Sequence, residues 1–340
     1  MKRIKSYYII ILSVSMLSFS MAQDSSIPDV VTKVATCAAN WLKLETGTRA
    51  IGMGGAQVAA GRGVSGIPYN PASITFTDNQ EGFMSQTNYV ADISYNVLGY
   101  SRNLSGVDFV GLHVFTLDSG PMAVTNEFYP DGTGENFNFT AFCIRGTYAR
   151  RLTDRLRIGA TGKFIMEQIY TTQMQTFAFD IGSNFDTGIY GIVLGMSVSN
   201  LGPEVKFEGE GLEVTVPDTI DVNGTLSKIT EPFSLPMTFR LGVMKDISLG
   251  SEDSDHSLIV TMDMINPIDY TLYGTFGMEY SWKDIAYVRV GQRFGHDTAK
   301  WSLGGGFRLG ADGFKVGLDY AYVNYDVLDF THQFGIKFEF

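Results

Sequence analysis

From residue 80 to the end of the chain, apolar and polar residues alternate with period two in segments separated by turn residues. Such alternation sorts side chains onto the two faces of a strand, and no helix would sort them that way. The clearest case is 330–340. There Phe330, Phe334, Ile336, Phe338 and Phe340 share one parity, while Thr331, Gln333, Gly335, Lys337 and Glu339 share the other. About fourteen such segments can be read: 81–90, 92–102, 106–117, 137–151, 155–169, 177–186, 189–200, 236–247, 257–266, 271–282, 285–295, 300–309, 313–325 and 330–340.

The connections support this count. Thr153-Asp154, Asp186-Thr187-Gly188 and Lys283-Asp284 are tight and follow segments four, six and ten, whereas 118–136 and 201–235 are long and follow segments three and seven. Short turns at one end and longer loops at the other are the habit of transmembrane barrels. The faces sort as well. Leu156, Ile158, Ala160, Phe164 and Met166 oppose Arg157, Thr161, Lys163 and Glu167; Leu272, Phe276, Met278, Tyr280 and Trp282 oppose Thr275 and Glu279. A charge on the lipid face at mid-depth costs about 2 to 4 kcal/mol, so the charged parity belongs inside. Tyr148, Tyr280, Trp282 and Tyr287 lie near segment ends and are expected in an interfacial girdle. The pattern predicts an all-β, transmembrane antiparallel barrel over 80–340. Segment fourteen should close on segment one near 83–89, with Phe340 at the periplasmic rim.

The first 79 residues alternate nowhere for long. Residues 1–22 read as a secretory signal: Lys2, Arg3 and Lys5, then an apolar core to Phe19, then Ser20-Met21-Ala22 as a small-x-small cleavage site. After it, Pro28 opens a stretch to Leu44 in which Val30, Val34, Cys37, Trp41 and Leu44 recur at helical spacing, which predicts a short helix. The glycines Gly47, Gly52, Gly54, Gly55, Gly61, Gly63 and Gly66 follow, closing on Tyr69-Asn70-Pro71-Ala72. Such a run suits turns and close backbone approach rather than sheet. A fourteen-stranded lumen is too wide for wall side chains to fill, so 23–79 is the expected plug.

Composition changes the picture little. With 38 Gly, 24 Phe, 17 Tyr and 18% charged residues, the chain suits strands that face lipid on one side and a polar lumen on the other. After the N-terminus no apolar run is long enough for a membrane helix. The net charge is −11, and signal cleavage removes Lys2, Arg3 and Lys5 without removing an acid, taking it to −14. That excludes nucleic acid as a partner, since phosphate binding needs a clustered basic surface. Cys37 and Cys143 are the only cysteines. Cys143 shares parity with Arg145 and faces the lumen, so a bridge to Cys37 in the plug is one arrangement; two unrelated buried thiols are the default.

Catalytic and metal chemistry is not in view. His113, His256, His296 and His332 are scattered without ligand spacing, and no nucleophile motif or carboxylate pair stands in a defined context. His296-Asp297 reads as a loop pair. Gly52-Met53-Gly54-Gly55 lacks the preceding strand and the following Lys-Ser/Thr of a phosphate loop, so close packing of plug backbone explains it better. No enzyme activity, cofactor or metal is expected. In Asn70-Pro71-Ala72, Pro71 removes a donor, and the Asn70 amide can serve backbone groups that no regular structure pairs.

Three stretches resemble the N-terminal signature of the PorV/PorQ family. They are Lys33-Val34-Ala35-Thr36-Cys37-Ala38-Ala39-Asn40-Trp41-Leu42-Lys43-Leu44, Gly47-Thr48-Arg49-Ala50-Ile51-Gly52-Met53-Gly54-Gly55-Ala56 and Tyr69-Asn70-Pro71-Ala72. That family is related to the FadL-type long-chain fatty-acid channels, which share the Asn-Pro-Ala element. Arg150-Arg151-Leu152-Thr153-Asp154-Arg155-Leu156 and Ser199-Asn200-Leu201-Gly202-Pro203 resemble further turns of the family. Two departures stand out: Gly61-Arg62-Gly63-Val64-Ser65 where relatives usually carry an acid, and Cys37 where they carry a small or hydroxyl residue.

The resemblance implies a fourteen-stranded FadL-like barrel in a bacterial outer membrane, with a hatch whose motif is Gly52, Gly54, Gly55, Asn70, Pro71 and Ala72. It also implies that Phe334, Ile336, Phe338 and Phe340 form the C-terminal signal read by the barrel assembly machinery. Two functions are implied. A PorV-like protein works with the type IX secretion system and binds the C-terminal domains of exported cargo. The loops 118–136 and 201–235 would then form the partner surface, with Val205, Phe207, Leu212 and Val214 interspersed in the second. A FadL-like protein instead passes hydrophobic small molecules through the hatch. The first is the reading the signature favours. A transporter should have an apolar pocket under the hatch and a kink in the wall near Gly or Pro, whereas a shuttle should have an intact wall and exposed apolar loops.

Overall fold

The computed structural model describes residues 33–34, 36–216, 224–248, 255–311 and 313–340. The signal peptide expected at 1–22 and the start of the helix expected from Pro28 lie outside the described residues.

The alternating segments form fourteen antiparallel strands. They are β1 Gln80–Asn88, β2 Ser94–Asn103, β3 Asp108–Asp118, β4 Phe139–Arg151, β5 Leu156–Ile169, β6 Thr172–Asp186, β7 Ile192–Leu201, β8 Thr238–Ser248, β9 His256–Pro267, β10 Tyr273–Trp282, β11 Ala286–Phe294, β12 Trp301–Ala311, β13 Phe314–Asn324 and β14 Phe330–Glu339. Each pairs with its neighbours in sequence, and β1 with β14 closes the barrel from Glu81 opposite Glu339 to Asn88 opposite His332. The rim carrying Gln80 and Phe340 is hereafter the terminal rim, and the opposite end the loop rim. At the terminal rim Phe340 and Gln80 exchange backbone hydrogen bonds, and the Phe340 ring lies 5.2 Å from that of Phe314.

Outward positions carry a belt of exposed large apolar residues, among them Leu98, Leu112, Phe177, Phe179, Ile181, Met262, Val288, Phe307, Leu318 and Phe334. A surface of this kind around a closed barrel is a lipid-facing one. Tyr148, Tyr280 and Trp282 are exposed on it, near the terminal rim. Tyr287, expected beside them, is instead buried: it shares inward parity with Arg289 and Arg293, and Arg308 stacks 4.5 Å from its ring. β6 starts five residues earlier than expected, because Met174 points in and Gln173 and Gln175 point out, the reverse of the lipid-facing pattern.

Long connections do follow β3 and β7, at the loop rim, where each carries a small two-stranded ribbon (Met122–Ala123 with Asn136–Phe137, and Glu213–Val216 with Gly224–Ser227). Length alone is an imperfect guide to side, since the β5–β6 turn, also at the loop rim, is only Tyr170-Thr171. The pairing ladder slips once among the described residues, between β6 and β7 at Phe179/Ile181. There Asn200 turns left-handed (φ 65°) and its N–H donates to Asp180 Oδ1 at 2.7 Å, a contact backed by Lys163 at 2.7 Å from the same oxygen.

Candidate functional site

The described N-terminal segment fills the lumen. The helix expected over 29–44 is absent from its described part, because Ala39 adopts a left-handed φ of 51° and only the short 3-10 turn Asn40–Lys43 follows. Beyond it come the single-turn helix Thr48–Gly52 and the 3-10 turns Val64–Gly66 and Pro71–Phe76, joined by backbone that is almost entirely buried.

Contacts with the wall explain how so irregular a segment packs. Strand glycines on the lumen face leave room for the plug where a Cβ would stand: Gly159 meets the Pro71 backbone, Gly182 the Asn70 side chain, Gly195 and Gly242 Val58 and Ala59, Gly277 Met53, Gly291 Gly54 and Gly304 Gly52. Several of these are direct cross-strand partners, namely Gly159 with Gly182, Gly195 with Gly242, and Gly277 with Gly291. The wall therefore carries a shallow glycine belt at the height of the plug. The plug glycines Gly54 (φ 66°) and Gly55 (φ 82°) are needed for their backbone conformation. The wall glycines escape a reading that looks only for glycine clusters; their sign in the sequence is glycine recurring at inward parity in successive strands.

Asn70 is the most connected plug residue. Its Nδ2 donates to Val58 O (2.8 Å), Ser183 O (3.0 Å) and Asn184 Oδ1, while its Oδ1 caps the following turn by accepting from Ala72 N at 3.0 Å, with Pro71 in the first-turn position. Asn184 returns a bond to Ala59 O. Asn70, Pro71 and Ala72 thus meet the wall at β5 and β6, and Gly52 and Gly54 meet it at β11 and β12, on another arc.

The lumen is unequal from side to side. Along β1 to β6 the inward face carries the main apolar cluster, where Phe83, Tyr95, Val97, Phe109, Phe115, Leu117, Ala141, Cys143, Ile165, Met174 and Ala178 pack with Trp41, Leu42, Ile67 and Ile74 of the plug, interrupted by Glu81, the His113–Arg145 contact and the Lys163–Asp180 pair. Along β9 to β13 the inward face carries the larger charged network. Glu279 binds Arg49 of the plug (2.7 Å) and Arg289 (2.6 Å), Arg289 binds Asp319, Arg293 binds Glu45, and Asp263 accepts from Val58 N at 2.8 Å. Near the loop rim Lys43 pairs with Asp269 at 2.5 Å.

Two compartments border the plug. At the terminal rim a cavity of about 500 Å³ is lined by Arg49, Arg62, Phe76, Glu279, Arg308, Lys337 and other charged groups, with Arg62 stacked 3.7 Å above the Phe76 ring. At the loop rim, against the apolar side, a second cavity of about 370 Å³ is lined by Cys37, Ala39, Asn40, Trp41, Leu44, Tyr89, Ile93, Leu117, Phe139 and Glu167. Trp41 is among its lining residues, stacked on Phe115 with ring centroids 5.4 Å apart and its Nε1 donating to Glu167 at 2.8 Å. Its size and apolar lining are those of a small-molecule pocket. A transporter was expected to hold its apolar pocket beneath the plug; the pocket lies on the loop-rim side instead, and the compartment on the terminal side is charged.

Cys37 and Cys143 are both free and buried, and the Cys37 sulfur lies 3.4 Å from Ser234 Oγ. The apolar residues expected on the surface of 201–235 partly turn inward. Val205 is buried, bridges Phe233 through paired backbone bonds, and with Phe207, Phe233 and Leu235 joins the lumen cluster, while Ala38 N donates to Ser234 O. Leu226 and Ile229 remain exposed there, as do Phe128 and Tyr129 in 119–138. Near the loop rim His296 accepts from Thr298 N and Ala299 N, and Tyr270 donates to Asp297 at 2.5 Å, joining two connections. Burial and the Arg293 charge push the His296 imidazole down to about 4.

These features define a class: a closed fourteen-stranded transmembrane barrel whose lumen is filled by its own N-terminal segment, with an apolar pocket at its mouth. Solved structures of the same fold are FadL-type barrels. They include the CymD monoaromatic hydrocarbon channel (TM-score 0.57, 13% identity, 86% of this chain and 96% of that one). The Pseudomonas putida toluene transporter TodX (0.56, 12%, 87% and 97%) and a Pseudomonas aeruginosa FadL homologue (0.51, 12%, 86% and 97%) are similar. No protein-family model matches the sequence, and no curated protein does.

Proposed function

We propose that the protein is a passive channel of a bacterial outer membrane that admits hydrophobic small molecules, with the N-terminal segment acting as its hatch. The observation that carries this reading is the pocket lined by Trp41 at the mouth, which adjoins the main apolar cluster of the lumen. The slip between β6 and β7 beside Gly202-Pro203 adds the wall irregularity that a transporter calls for. Structural likeness to channels described as carrying monoaromatic hydrocarbons and toluene points the same way. In this reading lipid surrounds the outer belt, Gly52, Gly54, Gly55, Asn70, Pro71 and Ala72 hold the hatch in place, and Phe334, Ile336, Phe338 and Phe340 serve as the signal for the barrel assembly machinery.

The type IX secretion reading rests on the resemblance of residues 33–72 to PorV/PorQ proteins. The inward turn of Val205 and Phe207 removes part of the apolar loop surface it asked for, and the exposed Phe128, Tyr129, Leu226 and Ile229 are what remain to it. One comparison separates the two. A strain lacking the protein is expected to take up toluene several-fold more slowly while exporting its surface proteins unchanged. Lost export with unchanged uptake would reverse the assignment.

A further inference from the structure

The mouth pocket is apolar in body; besides the Tyr89 hydroxyl, which bonds Tyr325, and the Cys37 thiol, its strong polar groups are acceptors. Asn40 donates its Nδ2 to Cys37 O at 2.7 Å, which fixes the amide orientation and leaves Oδ1 as the free end; that oxygen is buried and has no partner. The other strong polar group is the Glu167 carboxylate, held by the Trp41 indole. No lysine or arginine stands among the described residues lining the cavity. The pocket therefore offers acceptors and negative charge, without a cation to meet an anion.

We propose that this pocket selects aromatic molecules carrying a hydrogen-bond donor, such as a phenolic hydroxyl or an arylamine, and rejects aromatic or aliphatic carboxylates. The inference rests on the channel reading and narrows it. Trp41 and Phe139 supply faces and edges for a ring, and a cavity of about 150 Å³ is already enough for benzene, so one substituted ring fits. A donor on that ring satisfies the Glu167 carboxylate. A ligand carboxylate would bring a second negative charge into a site of low polarity, with nothing to pair it.

Three probes of one shape test this: 4-methylphenol, toluene and 4-methylbenzoate, measured by equilibrium dialysis against the full chain in a non-ionic detergent at neutral pH. The expected order is 4-methylphenol tighter than toluene by about tenfold, as one hydrogen bond to a charged acceptor supplies, and 4-methylbenzoate weaker than toluene by at least as much. Glu167→Gln keeps an acceptor for Trp41 and removes the charge. It should raise 4-methylbenzoate binding about tenfold and reduce the preference for the phenol. Equal binding of all three probes, or an order unchanged in Glu167→Gln, would overturn the selectivity while leaving a channel for hydrophobic compounds standing. Failure of every probe to bind, together with undiminished toluene uptake in the deletion strain, would remove both. Because the ranking is read on the unaltered chain first, a variant that does not fold leaves the test intact.

Discussion

At the scale of single residues the plug is held by absent side chains as much as by present ones. A methyl at Gly291 would land on the Gly54 backbone, whereas one at Gly146, on the outer face of β4, would meet nothing within 4 Å. Gly291→Ala is therefore expected to cost about 1 to 3 kcal/mol through overpacking, and Gly146→Ala to be near neutral, as read from unfolding midpoints in matched detergent. Asn70→Asp keeps the cap on Ala72 but replaces an amine that serves Val58 O, Ser183 O and Asn184 with a carboxylate facing those oxygens. It should raise amide exchange at 57–61 and 183–184 while leaving β10–β13 protected; uniform exchange across the barrel would mean that Asn70 is not a local tie. His296 gives a pH signature. Its folded-state value of about 4 lies below the ordinary 6.5, so the stability it contributes is complete above about 6.5 and lost as pH falls toward 4. An imidazole resonance titrating with a midpoint near 4 in the folded protein checks this, and a midpoint near 6.5 would place His296 in water.

At the scale of elements, the strands were legible because lipid imposes a strict rule on one face. Phe330, Phe334, Ile336, Phe338 and Phe340 alternate with polar residues because half of β14 must face hydrocarbon, and the register with β1 follows from that parity. Where lipid stops, legibility stops. The loop-rim end of β6 inverts its pattern at Met174, and Tyr287 is an aromatic at a strand end that faces arginines, so neither could be placed by its hydrophobicity. The plug resisted for another reason: its short turns are fixed by contacts hundreds of residues away, such as Gly54 N with Ser302 Oγ, and carry no local periodicity. Its glycines and Asn70-Pro71-Ala72 were conspicuous, yet the mouth pocket was not, since Trp41, Leu117, Phe139 and Glu167 come from separate parts of the chain. The charged side of the lumen is equally non-local. Glu279 stands between Arg49 and Arg289, so Glu279→Gln leaves two guanidinium groups facing each other in a buried place. Breaking a buried pair in this way costs about 3 to 5 kcal/mol, and here it should loosen the plug at Thr48–Gly52 specifically. Faster labelling of a cysteine placed at Arg49 in that background, relative to the same cysteine in the parent, would not suffice, because the substitution removes the arginine itself; faster amide exchange at 48–52 is the proper measurement.

At the scale of the whole molecule, the plug touches every strand of the barrel. Val64 N bonds Glu81 of β1 and the Val64 side chain covers Gly99 of β2; Ile67 and Ile74 cover Gly111 of β3; Arg151 of β4 reaches Thr75 O. Pro71, Asn70 and Val58 meet β5 to β8, Asp263 of β9 holds Val58, and Met53, Gly54 and Gly52 meet β10 to β12. Ile51 packs on Ala321 and Val323 of β13, and Thr48 on Gly335 of β14. Such a complete ring of contact separates the charged compartment at the terminal rim from the apolar pocket at the loop rim, and it makes a strong electrical prediction. The intact chain in a planar bilayer should show little steady ion conductance, although a fourteen-stranded wall without filling encloses a wide polar lumen. Deleting residues 33–79 while keeping β1 to β14 should open a stable ohmic pore, because Glu279, Arg289, Arg293 and Asp319 would then line water. Glu279→Gln should fall between the two, with brief openings as the charged side of the ring yields. A steady open pore in the intact chain would show that the contacts around the plug do not close the lumen, and hydrophobic solutes would then have no need of the apolar side.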